Sequence, residues 1–217
     1  MILKAEIFLE RLSRKLSLTK NKAKVLVLAS GGGTTFEALV REAQKNSFNY
    51  EVVGVVTNRR SAGVIQLADN LNISSHYIPF DSDFPEEFFD DVLELAEEME
   101  VDFIALAGFL LLIREPLLSR FSGKILNTHP ALLPKFGGKG LYGDHVHQAV
   151  LDAGEKESGV TVHLVNENYD EGQILGAEKV DVLAEDDLKS LSERVRAVER
   201  VFFPKVLNQF VTTQGFG

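Results

Sequence analysis

The side chains best suited to catalysis in this sequence lie in the segment LNTHP at residues 126–130. Asn127 and His129 are two positions apart in a predicted strand, so their side chains project from the same face. Pro130 cannot continue a central strand, which places both side chains at its carboxyl end. An amide donor beside an imidazole suits a developing oxyanion. These residues alone leave open the alternative that Asn127 caps a turn and His129 is a hydrogen-bonded edge histidine.

A carboxylate, Asp170, occurs in the segment NYDEG at residues 168–172, which predicts a turn between two later strands. A carboxylate there could orient His129, stabilise its protonated form, or relay a proton through water. Aspartate close to glycine is also ordinary turn chemistry. Asp170 alone therefore does not separate a catalytic role from a structural one.

A glycine-rich loop, SGGGTT at residues 30–35, follows a predicted buried strand and precedes a predicted helix. Backbone amides at such a helix start suit a phosphate group. The loop has neither the dinucleotide pattern G-x-G-x-x-G nor a P-loop lysine, so NAD or ATP binding is not indicated. The alternative is an ordinary strand–helix turn in which Thr34 or Thr35 caps the helix.

Three further histidines are interpreted as non-catalytic. His145 and His147 form an H-x-H pair, but no third ligand is near in sequence, so no metal site is predicted and the pair is expected to shape a loop or contact substrate. His163 alternates with apolar neighbours on a predicted strand and is interpreted as structural.

Composition narrows the class of protein. With 45% hydrophobic and 25% charged residues, the 217-residue chain is typical of a globular protein. It has no cysteine, which excludes disulfides, zinc thiolates and thiol nucleophiles. A net charge of −9 argues against a nucleic-acid partner. The longest apolar run, residues 103–113, is too short to cross a membrane, and no signal peptide is evident. We therefore expect a cytoplasmic protein with small-molecule partners.

Apolar runs alternate with amphipathic segments along most of the chain. Strands are predicted at residues 24–29, 51–57, 75–79, 103–108 and 124–128, and helices at 34–44, 63–70 and 85–99. This order predicts an α/β fold with a doubly wound, mostly parallel sheet. Residues 159–166 and 173–181 are strand-like and joined by a short turn, which predicts a late antiparallel strand pair. A long helix is predicted at residues 187–209.

The predicted domain organisation is a single α/β domain with a short extension. Residues 24–217 are assigned to the domain, and residues 1–23 to an N-terminal helical appendage. Within the appendage, apolar residues at helical spacing predict an amphipathic helix over residues 5–17. In open sheets of the predicted kind, ligands bind beyond the carboxyl ends of the strands, where the motifs above are placed.

Several ordered motifs resemble the folate-dependent formyltransferases, in particular the branch that acts on glycinamide ribonucleotide. They are VLVLASGGGTTFEAL, VVTNRRSAG, IALAGFLLLI, GKILNTHPALLPKFGGKG and SGVTVHLVNENYDEGQIL, and the resemblance extends from residue 24 to 210. The chain departs from many members in having Thr-Thr where they have Ser-Asn in the glycine loop. It also has Leu111 where they have arginine.

The resemblance implies an activity and a set of site residues. The activity is formyl transfer from 10-formyltetrahydrofolate, as cosubstrate, to the amine of glycinamide ribonucleotide in purine biosynthesis, by direct attack through a tetrahedral intermediate. The implied catalytic residues are Asn127, His129 and Asp170. The implied ribonucleotide-binding residues are Gly33, Thr34, Thr35 and Glu199. The implied folate-binding residues are Leu110, Leu111, Leu112, Ile113, Asn166 and Glu167.

The resemblance also carries expectations about charge and assembly. Asp170 would hold His129 in its charged form, and a neighbouring carboxylate is expected to raise the histidine pKa above its reference value of about 6.5. The protein is expected to be a monomer or a homodimer, and no metal is expected.

Overall fold

A seven-stranded sheet organises the computed structural model, which describes residues 21–217. The helix predicted at residues 5–17 lies outside the described residues. The strands are β1 (Ala23–Leu28), β2 (Tyr50–Thr57), β3 (Ser74–Tyr77), β4 (Phe103–Leu106), β5 (Ile125–His129), β6 (Glu157–Leu164) and β7 (Ile174–Asp181). The helices are α1 (Thr34–Ala43), α2 (Gly63–Asn70), α3 (Pro85–Glu98), α4 (Leu117–Arg120), α5 (Asp144–Asp152) and α6 (Leu188–Thr213).

The order of strands across the sheet is β3-β2-β1-β4-β5-β6-β7. The first five strands pair in parallel, whereas β6 is antiparallel to both β5 and β7. The predicted fold class, a mostly parallel doubly wound sheet with a late antiparallel pair, is therefore confirmed. Because β1 and β4 are neighbours but leave the sheet toward helices on opposite faces, the switch point of the winding lies between them.

Strand β1 is buried on both faces, as its uninterrupted apolar sequence predicts. Val25 and Val27 belong to one core cluster, with residues of α1, α2 and α6. Leu26 and Leu28 belong to a second cluster on the opposite face, with residues of α3 and α4. All four side chains are 0% exposed. Helices therefore cover both faces of the sheet at β1, and the end of the strand is left for ligands.

The sequence analysis did not predict two of the helices. The helix α4 is a single turn of four residues, too short for a periodic pattern. In α5 the buried positions are Val146, His147 and Val150, so a histidine occupies a core position and disguises the apolar stripe. The last helix, α6, starts at a capping box formed by Asp187 and Ser190 and continues four residues beyond the predicted end. Among residues 21–217, no helix has the length and apolar character needed to span a bilayer.

Candidate active site

The end of β5 presents the predicted amide and imidazole beside β6. Asn127 pairs with His163 in the antiparallel register. His163 Nδ1 lies 2.8 Å from the backbone oxygen of Leu164, so Nδ1 carries the hydrogen and donates it. His163 Nε2 is then an acceptor, and Asn127 Nδ2 donates to it at 3.1 Å. The backbone of β6 thus sets the tautomer of one ring, and that ring orients the amide.

Asp170 enters the same site from the turn between β6 and β7. Its backbone has a positive φ of 58°, a conformation that is costly for an aspartate. A Cβ on the nearby Gly172 would be 1.7 Å from the Leu164 backbone oxygen, so only glycine fits there. The turn brings Asp170 Oδ2 within 2.9 Å of the Gly138 amide, which donates to it, and Oδ1 within 3.4 Å of Asn127 Nδ2.

His129 completes the cluster that the sequence predicts. It is 3% exposed, and its Nε2–H donates to the backbone oxygen of Phe136 at 2.8 Å. Its Nδ1 lies 3.5 Å from Asp170 Oδ2. The structure therefore brings Asn127, His129 and Asp170 together. Both nitrogens of the His129 ring therefore face groups of the protein.

Burial decides the protonation of His129. Removal from solvent lowers the pKa of His129, and it outweighs the Asp170 charge and the Phe136 hydrogen bond, which both raise it. The expectation that Asp170 lifts this pKa above 6.5 is therefore wrong in net direction, because the sequence shows the neighbour but not the burial. For Asp170, burial raises the pKa, but the imidazoles of His163 and His129, in the forms that present a proton to the carboxylate, and the Gly138 amide together lower it.

The glycine loop packs tightly at the start of α1. Gly33 is the N-cap residue, with φ of 85°, and no side chain caps the helix. The alternative of a threonine N-cap is therefore wrong. A Cβ on Gly33 would lie 2.7 Å from Val64 Cγ2, so the loop fits against α2 only with glycine there. Gly31, Gly32 and Thr34 are exposed, which leaves the first amides of α1 accessible to an anion.

Glu199 links the glycine loop to α6. Its Oε2 accepts a hydrogen bond from the buried Thr35 hydroxyl at 2.9 Å. Burial raises the pKa of Glu199, and the hydrogen bond from Thr35 opposes this rise. A carboxyl group is thus held next to the loop on the face of the sheet that α1 and α6 cover.

The two segments expected to bind folate border the same core cluster. Leu111 and Ile113, after β4, pack against the cluster that contains Phe88 and Phe109. Val165, at the end of β6, packs against it too. The next residue, Asn166, accepts a hydrogen bond from the Asn168 amide through its Oδ1 at 3.0 Å, and Glu167 is exposed. Both segments therefore border one apolar cluster, and the second of them lies just before the Asp170 turn in sequence.

His163 is the site residue that sequence reasoning missed. It is 2% exposed, and its Nε2 lies 3.5 Å from Asp170 Oδ1 as well as 3.1 Å from Asn127 Nδ2. The signal that could have revealed it is the register of β6 against β5, which places His163 opposite Asn127. The apolar neighbours of His163 in β6 indicate that its side chain is buried, but they do not indicate which polar groups it contacts.

His145 and His147 lie on α5 rather than in a loop. Two positions apart on a helix, their side chains point in nearly opposite directions, so they do not form a ligand pair. His145 is exposed and packs edge-on against the Tyr142 ring, with centroids 5.3 Å apart. His147 is 1% exposed, and burial is the main cause that lowers its pKa, to about 4.

The chain is similar to known proteins both in sequence and in structure. The model of the formyl transferase family matches residues 23–207. A phosphoribosylglycinamide formyltransferase of Vigna unguiculata chloroplasts is 39% identical over 191 residues, which are 88% of this chain and 61% of the relative. The chain thus spans less than two thirds of that plant protein. The phosphoribosylglycinamide formyltransferase of Bacillus subtilis is 34% identical, over 87% of this chain and 94% of the relative.

A solved structure extends the likeness to three dimensions. The crystal structure of phosphoribosylglycinamide formyltransferase from Brucella melitensis superposes with a TM-score of 0.79 at 38% identity. The match covers 87% of this chain and 95% of the other. The two proteins therefore share their fold over most of the described residues.

We predict that His147 makes the protein less stable in acid. Its pKa of about 4 in the folded state lies below the value of about 6.5 expected after unfolding. Between these values the unfolded chain binds a proton that the folded chain does not, so stability falls as pH falls. Replacing His147 with Gln should reduce the loss of unfolding free energy between pH 7 and 5 by about 1–2 kcal/mol.

The measurement is urea-induced unfolding followed by circular dichroism, because the chain has no tryptophan. His145→Gln, an exposed change on the same helix, is the matched control and should keep the pH dependence of the parent protein. An identical pH dependence in His147→Gln and the parent would contradict the assignment.

Proposed function

Since this chain belongs to the formyl transferase family, we propose that it transfers a formyl group from 10-formyltetrahydrofolate to the amine of glycinamide ribonucleotide. The observation that carries the proposal is the contact of Asn127 and Asp170 at the end of β5, with His129 3.5 Å from the same carboxylate. Residues 24–217 would form the transferase domain, acting in the cytoplasm in purine biosynthesis as a monomer or homodimer.

The proposed reaction is a direct acyl transfer. The amine nitrogen bonds to the formyl carbon, and the formyl oxygen becomes an oxyanion. When this tetrahedral intermediate collapses, the bond to folate N10 breaks and the oxygen regains its double bond. The proton lost by the amine passes to N10, with Asp170 or a water that it holds as the carrier. The chain has no cysteine to form a thioester intermediate.

Asn127 and His129 are the proposed oxyanion donors. The two hydrogens of Asn127 Nδ2 are directed at His163 Nε2 and Asp170 Oδ1, and the Nε2–H of His129 is directed at the Phe136 oxygen. Each donor must therefore exchange a protein partner for the formyl oxygen as substrates bind. Protonation of His129 would place a hydrogen on Nδ1, opposite the Asp170 carboxylate, which favours the charged form.

The ribonucleotide and the folate are assigned to opposite sides of the cluster. The phosphate would bind the uncapped amides at the start of α1, from Gly33 to Thr35. Glu199, held by the Thr35 hydroxyl, would contact the ribonucleotide. The pterin would bind main-chain groups of residues 110–113 and of residues 166–167, over the apolar surface that Leu111 and Val165 border.

The deciding experiment measures release of tetrahydrofolate from 10-formyltetrahydrofolate, with and without glycinamide ribonucleotide. Release that requires the ribonucleotide, together with formylation of its amine, is the expected result. Release that is equal in both tubes would replace the transferase with a hydrolase. Absence of release in both tubes, with intact ligand binding, would indicate a binding module.

Replacing Asn127 with Ala should lower kcat by about 10²–10³, the usual cost of one oxyanion donor. Because the donor acts mainly on the oxyanion, KM should change much less. Steady-state kinetics of tetrahydrofolate release measure both constants. Asn70→Ala, at the exposed end of α2, is the control and should retain the parent kcat. A drop of less than roughly tenfold for Asn127→Ala would remove this residue from the oxyanion site.

Replacing Asp170 with Asn should move the pH profile of kcat. The Asp170 charge raises the pKa of His129, so its removal lowers that pKa further. If charged His129 is the active form, activity in the variant will be lost at lower pH than in the parent, and kcat at neutral pH will fall. Profiles of kcat between about pH 5 and 9 test this, with exposed Asp69→Asn as control. Equal kcat at every pH would exclude Asp170 from the mechanism.

A further inference from the structure

Ser30, the residue just before the glycine loop, holds three loops together. Its hydroxyl donates to Asn58 Oδ1 at 2.8 Å and accepts from the Leu110 amide at 3.3 Å. Its own amide donates to the Gly108 backbone oxygen at 3.1 Å. With 3% of its surface exposed, Ser30 makes these bonds away from solvent, where they are strongest. One residue therefore joins the segments that follow β1, β2 and β4.

These bonds cross the switch point of the sheet. β1 and β4 are adjacent, and the segments after them diverge around the crevice in which open α/β sheets bind ligands. The segment after β1 carries the Gly33 loop, proposed to bind the ribonucleotide phosphate. The segment after β4 carries Leu110, the first residue proposed to contact the folate through its backbone. Ser30 thus forms a direct hydrogen-bonded contact between the segments that carry the two proposed substrate sites.

The direction of each bond matters for the two sites. The Leu110 amide that points at Ser30 fixes the plane of the peptide unit that opens the folate segment. The Ser30 carbonyl and the amides after it belong to the loop whose backbone would face the phosphate. A shift of Leu110 would change its bond to Ser30 Oγ, and Ser30 is the residue directly before Gly31.

We propose that Ser30 is a positioning residue that couples binding of the ribonucleotide to binding of the folate, an inference that rests on the proposed function. Ordering of residues 110–113 by the folate fixes the Ser30 hydroxyl, and this orders the phosphate loop for the ribonucleotide. Thermodynamic linkage makes the effect reciprocal. Each ligand should then bind about fivefold or more tightly when the other is present, which is the lower end of measured couplings.

Loss of the hydroxyl should uncouple the sites. Ser30→Ala removes the acceptor for Leu110 and the donor to Asn58 but leaves the backbone bond to Gly108. The ratio of folate affinities with and without ribonucleotide should therefore fall toward one. A hydroxyl with only a structural role would change stability, or both affinities equally, and would leave that ratio unchanged.

The test is calorimetric titration of tetrahydrofolate into the full chain, with and without saturating glycinamide ribonucleotide. No formyl group is present, so both ligands bind without reacting. Ser30→Thr, which keeps the hydroxyl, should retain the parent ratio. Ser158→Ala is the matched control: Ser158 is 1% exposed on β6, three strands from β1, and its hydroxyl has no hydrogen-bond partner among the described residues. It should also keep the parent ratio.

Loss of coupling in Ser30→Ala alone supports the proposal. A parent ratio near one, or a ratio unchanged in Ser30→Ala, overturns it while leaving the proposed function intact. Failure of the parent protein to bind either ligand rejects the proposed function itself. If Ser30→Ala does not fold, Ser30→Cys replaces it, because a thiol has nearly the same shape as the hydroxyl but is only a weak acceptor for the Leu110 amide. A parent-like ratio in that variant would equally overturn the proposal.

Discussion

The Asp170 carboxylate is the group around which this site is assembled. A carboxylate that is largely removed from water must be hydrogen-bonded or paired, or else become neutral. Here an amide of the segment after β5, the Asn127 side chain and two imidazoles surround it. The charge therefore fastens the β6–β7 turn to β5 and to the segment that carries Phe136 and Gly138. The unusual backbone of Asp170 is maintained because these contacts outweigh its local cost.

The polar groups around Asp170 also contact one another or the backbone. His129 faces Phe136 on one nitrogen and Asp170 on the other, and the Asn127 amide faces His163 and Asp170. Burial lowers the pKa of His129, and this effect is larger than the rise caused by the Asp170 charge. Under the proposed function, the negative charge that develops on the intermediate would be an additional partner for protonated His129. It would favour the charged imidazole at the stage when the reaction needs it.

Most helices and strands were predicted from apolar periodicity, because the spacing of apolar residues within a segment indicates which of its faces is buried. The strands around Val25 and Ile104, and the helix α2, follow from local sequence. The helix α5 does not, since His147 occupies a core position that a polar residue conceals. Spacing predicted that Asn127 and His129 share one face of a strand, and the resemblance to formyltransferases implied that Asp170 joins them. Neither could supply the pKa direction of His129 or the contact of His163 with Asn127, because burial and strand register are properties of the folded chain.

Gly172 influences the tautomer of His163 through the position of a backbone carbonyl. Gly172 lies so close to the Leu164 carbonyl that any larger residue would displace it. That carbonyl accepts the hydrogen of His163 Nδ1, and so assigns the free lone pair to Nε2 and the amide of Asn127 to its present orientation. A larger residue at position 172 would thus displace the acceptor that holds the His163 hydrogen on Nδ1. The constraint on this glycine is chemical as well as steric, although it never touches a reacting atom.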